Sequence, residues 1–230
     1  MKTYDLNARV TFIEPILGTA SNDKEVYSNF IANKAPDAKS AEEEIAAVGV
    51  DEVVERGTTV FPRTEDGTPF LYDYQIKGFF KDTCGALNRL TAKDENGKKK
   101  KSAYKSGALT AFRKVIDTAI FPAPRKIPFK FDGDIEICQR PLRANTPQGE
   151  RVALASSEQI PAGAVIEFKV MCLSEEHLDL VREWLDYGFL RGIGQWRNSS
   201  KGRFVWEELD DDGKVIGGNS FLAEEYRKSA

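Results

Sequence analysis

The chain has 230 residues, 41% of them apolar and 30% charged, and carries a formal net charge of −3. That is enough chain to bury one large core or two small ones, and the negative balance argues against a polycation that binds any anion indiscriminately. No apolar run approaches the length that spans a bilayer, and the opening MKTYDLNARV lacks an apolar signal-peptide core, so the expectation is a cytoplasmic protein without a membrane partner.

Residues 8–18, ARVTFIEPILG, read as a strand in which Val10, Phe12 and Ile16 alternate with polar residues and Gly18 ends the run. A long polar stretch follows, and residues 19–74 read as an insertion after this first strand. Within it, residues 40–57 are helix-prone: Ser40 suits an N-cap, Glu42, Glu43 and Glu44 suit the first turn, and Gly57 closes a later one. Residues 58–73 predict a hairpin turning at the sequence EDG. Residues 75–92 predict a helix starting near Gly78, with Phe79, Cys84, Leu87 and Leu90 on its buried face.

A polar loop, 93–106, holds four successive lysines, Lys98, Lys99, Lys100 and Lys101. Helical patterning resumes over 107–121, and Pro122, Pro124 and Pro128 then demand extended chain. Strand-like runs occupy 129–144, 150–160 and 162–174. Residues 174–188 predict a helix capped by Ser174, with Leu178, Val181 and Leu185 on one face and Gly188 at its end. A glycine-rich segment at 188–204 leads into a strand at 203–209, an acidic turn with a short strand, and a short terminal helix. The succession outlines an α+β domain spanning 1–230, with a ferredoxin-like or RRM-like βαββαβ core and a long insertion after the first strand.

Charge is unevenly placed. Residues 37–66 carry nine acids and three bases, residues 81–114 ten bases and three acids, and residues 187–204 four bases and no acid. Such asymmetry suits one face built for an anion and another that is not. Cys84, Cys138 and Cys172 stand singly and there is one histidine, His177; a structural zinc site needs four closely spaced ligands, so three buried thiols and no metal or cofactor are expected.

The segment GFLRGIGQWRNSSKGRF (188–204) needs a reason. It lacks the GxxxxGK[ST] string of a P-loop. Its GIG lacks the third glycine of a dinucleotide-binding turn and follows a helix instead of a strand. Two readings remain: a backbone that lies close to a polynucleotide, with Arg191, Arg197, Lys201 and Arg203 neutralising phosphates and Trp196 stacking on a base, or a solvated helix-to-strand turn with Trp196 packed on the core.

The loop resembles the C-terminal glycine-rich loop of the RAMP superfamily, the RNA-binding proteins of CRISPR systems. Gly192, Gly194, Arg197, Ser200 and Gly202 occupy the positions of that pattern, whereas Gln195 and Trp196 stand where a second glycine pair is usual. Residues 13–20 (IEPILGTA), 76–90 (IKGFFKDTCGALNRL) and 157–170 (SEQIPAGAVIEFKV) are similar to three further segments of these proteins, in the same order. The resemblance is strongest to the subunits that form the backbone of CRISPR effector complexes, and it implies a ferredoxin-like fold that grips single-stranded guide RNA. The partners implied are that RNA, other effector subunits or further copies of the chain, and residues 19–74 take the place of an inserted thumb. RNA contact is expected from Lys77, Lys81, the lysines 98–101, Arg140, Arg143, Arg191, Gly192, Gly194, Gln195, Trp196, Arg197, Ser199, Ser200, Lys201 and Arg203.

The expected role is binding without catalysis. Two other roles fit the same residues: an inhibitor, such as a phage would carry, that binds a CRISPR complex or its guide RNA, with acidic residues 37–57 as the protein contact; or an endoribonuclease using the loop aspartate Asp23. His177 reads as a surface or capping residue, and Asp210, Asp211 and Asp212 read as an acidic turn before they read as a magnesium site.

Overall fold

The computed structural model describes residues 1–22, 58–90, 104–146 and 149–229, and these are mixed α+β with two sheets and four helices. The strands before the middle of the chain are β1 (Tyr4–Phe12), β2 (Ile16–Leu17), β3 (Ala20–Ser21), β4 (Thr59–Val60), β5 (Phe70–Tyr72), β6 (Ile120–Ala123) and β7 (Lys126–Lys130). Those after it are β8 (Glu136–Thr146), β9 (Gly149–Ile160), β10 (Val165–Cys172), β11 (Phe204–Leu209) and β12 (Val215–Gly218). The helices are α1 (Asp73–Arg89), α2 (Phe112–Ala119), α3 (Glu176–Arg191) and α4 (Leu222–Ser229).

The larger sheet runs β12-β11-β1-β10-β7-β5, with β6 also paired to β10. Central β1 is antiparallel to both neighbours: Ala8 faces Phe168 of β10 on one side and Glu208 of β11 on the other. Its alternation begins four residues earlier than the sequence suggested, because Leu6 and Ala8 join Val10 and Phe12 on the buried face. The smaller sheet runs β2-β9-β4-β3, with β8 hairpinned onto β9.

Residues 58–73 differ from the expected hairpin. The EDG turn forms, with Thr64 N–H bonded to Thr68 O, but only Arg63 and Pro69 bridge across it. The flanking strands then join different sheets: β4 pairs with β3 and β9, and β5 pairs with β7.

Helix α1 starts five residues before Gly78, because Gln75 reaches back to accept the Tyr72 amide at 2.8 Å and Asp73 complements the helix dipole. Leu90, expected in the core, lies just past the helix and is exposed. At α3 the predicted cap does not form. Glu175 occupies the N-cap position without a side-chain cap bond, and Ser174 offers its carbonyl to His177 N–H. Gly188 does not end α3; a Cβ there would sit 2.1 Å from the Phe204 ring, so the glycine lets helix and strand close together.

The core is an aromatic chain between α1, α3 and the large sheet. Trp184 meets Phe80 at 5.3 Å, Phe79 meets Phe204 at 5.4 Å, Phe204 meets Phe12 at 6.0 Å, and Phe12 meets Phe129 at 5.8 Å. Burial pushes the Cys84 thiol up to about 11 and the Cys172 thiol to about 12, as expected of inert core thiols. Cys138, expected to be buried with them, is only half-buried on β8.

One polar hub lies in this core. Buried Ser106 donates its hydroxyl to Glu183 Oε2 at 2.5 Å and accepts the Trp184 indole N–H at 2.8 Å, while the amides of Lys105 and Ser106 bond the same carboxylate. Ser106→Ala leaves the indole without an acceptor, and the expected cost is about 1–3 kcal/mol. Urea unfolding should show a lower midpoint with an unchanged m value; an unchanged midpoint would remove the hub from any account of stability.

Candidate nucleic-acid interface

The glycine-rich loop leaves α3 at Arg191 and returns as β11 at Phe204. Its neck is closed by backbone alone. Ile193 N–H bonds Gly202 O at 2.9 Å, and Gly202 N–H bonds Pro15 O at 2.8 Å, on the link between β1 and β2. Both neck glycines need to be glycine. Gly192 has φ +69° and Gly202 φ +71°, and a Cβ at Gly202 would lie 1.9 Å from Ile193 O. Beyond the neck, Trp196 and Ser200 hold left-handed backbone on either side of a short 3-10 turn, Arg197–Ser199. Each such residue costs roughly 1 kcal/mol or more, so the loop must be held from outside.

Gln195 does much of the holding. Its Nε2 donates to Gly18 O at 2.8 Å and to Thr59 Oγ1 at 3.0 Å, and its Oε1 accepts from Arg140 Nη2 at 2.9 Å. Lys201 donates to Gln159 Oε1 at 2.8 Å. Arg203 donates to Phe189 O and lies over the rings of Phe189 and Tyr226. Gln195 and Arg203, read from sequence as RNA contacts, are therefore committed to shaping the loop.

The cations are gathered and only partly neutralised. Arg191 Nε and Arg197 Nη1 both bond Asp82 Oδ2 on α1, at 3.1 and 2.6 Å. About a third of each side chain is exposed, so each pair adds at most about 1 kcal/mol to stability; its larger effect is to hold two guanidiniums side by side. Arg140 lies over the half-exposed Trp196 ring at 5.2 Å. Its Nε and Nη1 are buried and meet no acceptor among the described residues, which is costly for a guanidinium unless an anion completes it. Trp196 thus neither packs into the core nor stands bare; a cation covers its ring.

Lys77 and Lys81 turn away from the loop toward α2. Lys77 donates to Asp117 O and lies over the Phe121 ring, and Lys81 pairs with the Asp117 carboxylate. Burial holds the Lys77 ammonium below the usual lysine range, against the pull of Asp117. The lysines 98–101, Asp23 and residues 37–57 lie outside the described residues, as does the side chain of Arg143. Asp210 accepts the amides of Asp212 and Lys214, closing an acidic turn. Among the described residues no three His, Cys, Asp or Glu side chains converge as metal ligands, and no helix is long and apolar enough to cross a membrane.

A cleft of about 300 Å³ opens between the loop, the start of α1 and the β2–β3 link. Leu17, Tyr72, Tyr74, Phe79 and Ile193 form much of its wall, and Asp82 and Arg197 line it too. Asp82 and Tyr74 were not singled out from sequence, and Gly78 was read only as a helix start. Asp82 meets its arginines across more than a hundred residues of chain, and no local pattern marks such a pair.

No family model matches the chain, and no curated protein matches it. Among solved structures, a similar chain occurs in the cryo-EM structure of the Type III-B Cmr-beta bound to cognate target RNA, with 9% sequence identity and a TM-score of 0.48. The match covers 95% of this chain and 60% of that one, so this chain spans less than two thirds of its length. A likeness this distant carries no function.

The neck makes an ordered prediction. Gly213 has φ +78° with nothing within 4 Å of the place a Cβ would take, whereas Gly202 has both a positive φ and the Ile193 carbonyl in the way. Gly213→Ala should cost only the conformational penalty of roughly 1–2 kcal/mol, and Gly202→Ala clearly more. Equal losses of Tm in the two variants would show that the neck does not depend on backbone contact.

Proposed function

We propose that the chain is a noncatalytic RNA-binding protein of the kind that forms the backbone of CRISPR effector complexes, gripping single-stranded guide RNA by phosphate and shape. The observation that carries this reading is the set of cations around one rigid loop. Arg140 bonds Gln195 and lies over Trp196, Arg191 and Arg197 meet at the Asp82 carboxylate, and Lys201 is held by Gln159. Phosphates suit such a cluster, and the two unpartnered nitrogens of Arg140 suit an anionic oxygen. The loop offers no histidine or carboxylate as a general acid or base, so the reading gives it binding and no chemistry.

The topology supports the same reading. Four antiparallel strands stand in the order β11-β1-β10-β7, with α1 between β1 and β7 in the chain and α3 joining β10 to β11. We read this order as that of a ferredoxin-like βαββαβ unit; the four segments that resemble RAMP proteins lie at the exit of β1, on α1, on β9–β10 and in the loop. Guide RNA and neighbouring effector subunits are the partners this implies.

Combined Arg191→Gln, Arg197→Gln and Lys201→Gln should weaken binding to single-stranded RNA and flatten the dependence of log K on log salt by about 0.7 per cation removed. Wild-type affinity and slope in a variant that still unfolds cooperatively would end the reading. Asp82→Asn should act in the opposite sense, tightening binding several-fold at low salt, because it removes the carboxylate that competes with phosphate for Arg191 and Arg197.

A further inference from the structure

Three glycines lie inside long helices, and two have a packing reason. Gly188 clears the Phe204 ring, and a Cβ at Gly85 would meet the Phe112 ring at 3.2 Å. Gly78 has none: nothing described lies within 4 Å of the position a Cβ would take, and its φ is not positive. Glycine in a helix interior weakens the helix relative to alanine, yet here it relieves no contact with the described residues. Gly78 lines the cleft beside the glycine-rich loop.

We propose that this cleft is a pocket for a single unstacked nucleobase, and that Gly78 leaves the room the base needs. The proposal rests on the RNA-binding reading and deepens it. The walls favour a base over a phosphate: Leu17, Tyr72, Tyr74 and Phe79 are apolar or aromatic, and a splayed base buries its faces against such surfaces. The volume, about 300 Å³, sits at the small end of ligand sites and holds one planar ring system. At one end Asp82 and Arg197 supply an acceptor and a donor. Among the described residues Asp82 takes both guanidiniums on Oδ2, and its Oδ1 has the lone pairs to accept from an amino or imino group on a base edge. The same arginines hold the flanking phosphates, which places the base beside the backbone that the loop grips.

The test compares two probes by fluorescence anisotropy: a single-stranded RNA of about 20 nucleotides, and a chain of equal length whose nucleotides are abasic. Wild-type protein should bind the base-bearing RNA more tightly. Gly78→Leu fills the cleft and should lose about tenfold in affinity for that RNA, with affinity for the abasic chain unchanged. Gly78→Ala, which improves the helix and adds one methyl, should keep or raise Tm and lose affinity in the same direction by about threefold; it decides the matter if the leucine variant fails to fold. Unchanged affinity in both variants overturns the pocket and leaves the RNA-binding reading standing. Equal losses on both probes also overturn it, because they make the cleft a backbone track. Wild-type protein that binds neither probe overturns the RNA-binding reading itself.

Discussion

Ile193 donates its amide to Gly202, and Gly202 donates its own to Pro15, so two passes of backbone meet with no side chain between them. The position of the cationic loop depends on this contact. A Cβ at Gly202 would overlap the Ile193 carbonyl, and one at Gly192 would press on the Gly202 backbone. Once the neck is closed, the eight residues beyond it have little freedom, and their left-handed turns at Trp196 and Ser200 can be held by a few hydrogen bonds. Glycine at these positions serves the chain's own closure first. Any approach of a ligand backbone follows from the shape that closure creates.

The second sheet is bound to the first through the same region. Gly18 N–H bonds Glu158 O, and the Glu158 carboxylate takes the Phe61 amide and the Arg63 guanidinium. Gln195 then links Gly18, Thr59 and Arg140, residues from the β2–β3 link, β4 and β8. A loop attached to one sheet thus gains contacts to the other. The cleft lies where the loop, α1 and the β2–β3 link converge, and Leu71, Phe79 and Ile193 of its wall belong to the common core.

Electrostatics at the loop is a matter of unequal pairing. Asp82 alone serves Arg191 and Arg197, Lys201 meets an amide, and Arg140 meets an amide and an indole face. Neutral partners orient a cation without cancelling its charge, so the group stays attractive to an anion even though the chain is net negative. Lys81 illustrates the other arrangement, paired with the Asp117 carboxylate, while Lys77 is turned to the Asp117 carbonyl and away from the loop.

Local pattern alone determined most of the elements. Alternation over β1 and β10, the apolar stripe Leu178, Val181, Leu185 of α3, and the acidic turn before β12 are written in neighbouring residues, and these elements form, with β1 starting earlier and α3 ending later than the pattern placed them. The glycines and cations of 188–204 likewise marked the loop as unusual. Tertiary structure decided what the pattern could not carry: that Gly188 lies inside a helix because Phe204 needs its space, that the strands flanking the EDG turn part to different sheets, and that Leu90 falls outside the core. It also decided which basic residues share a site. Arg191 and Arg197 meet at Asp82 and Arg140 reaches the loop at Gln195 and Trp196, while Lys77 and Lys81 turn to Asp117, because side-chain company is set by contacts between residues far apart in the chain. Periodicity records only which face a residue occupies; it holds no information about which distant residue, such as Asp82, that face will meet.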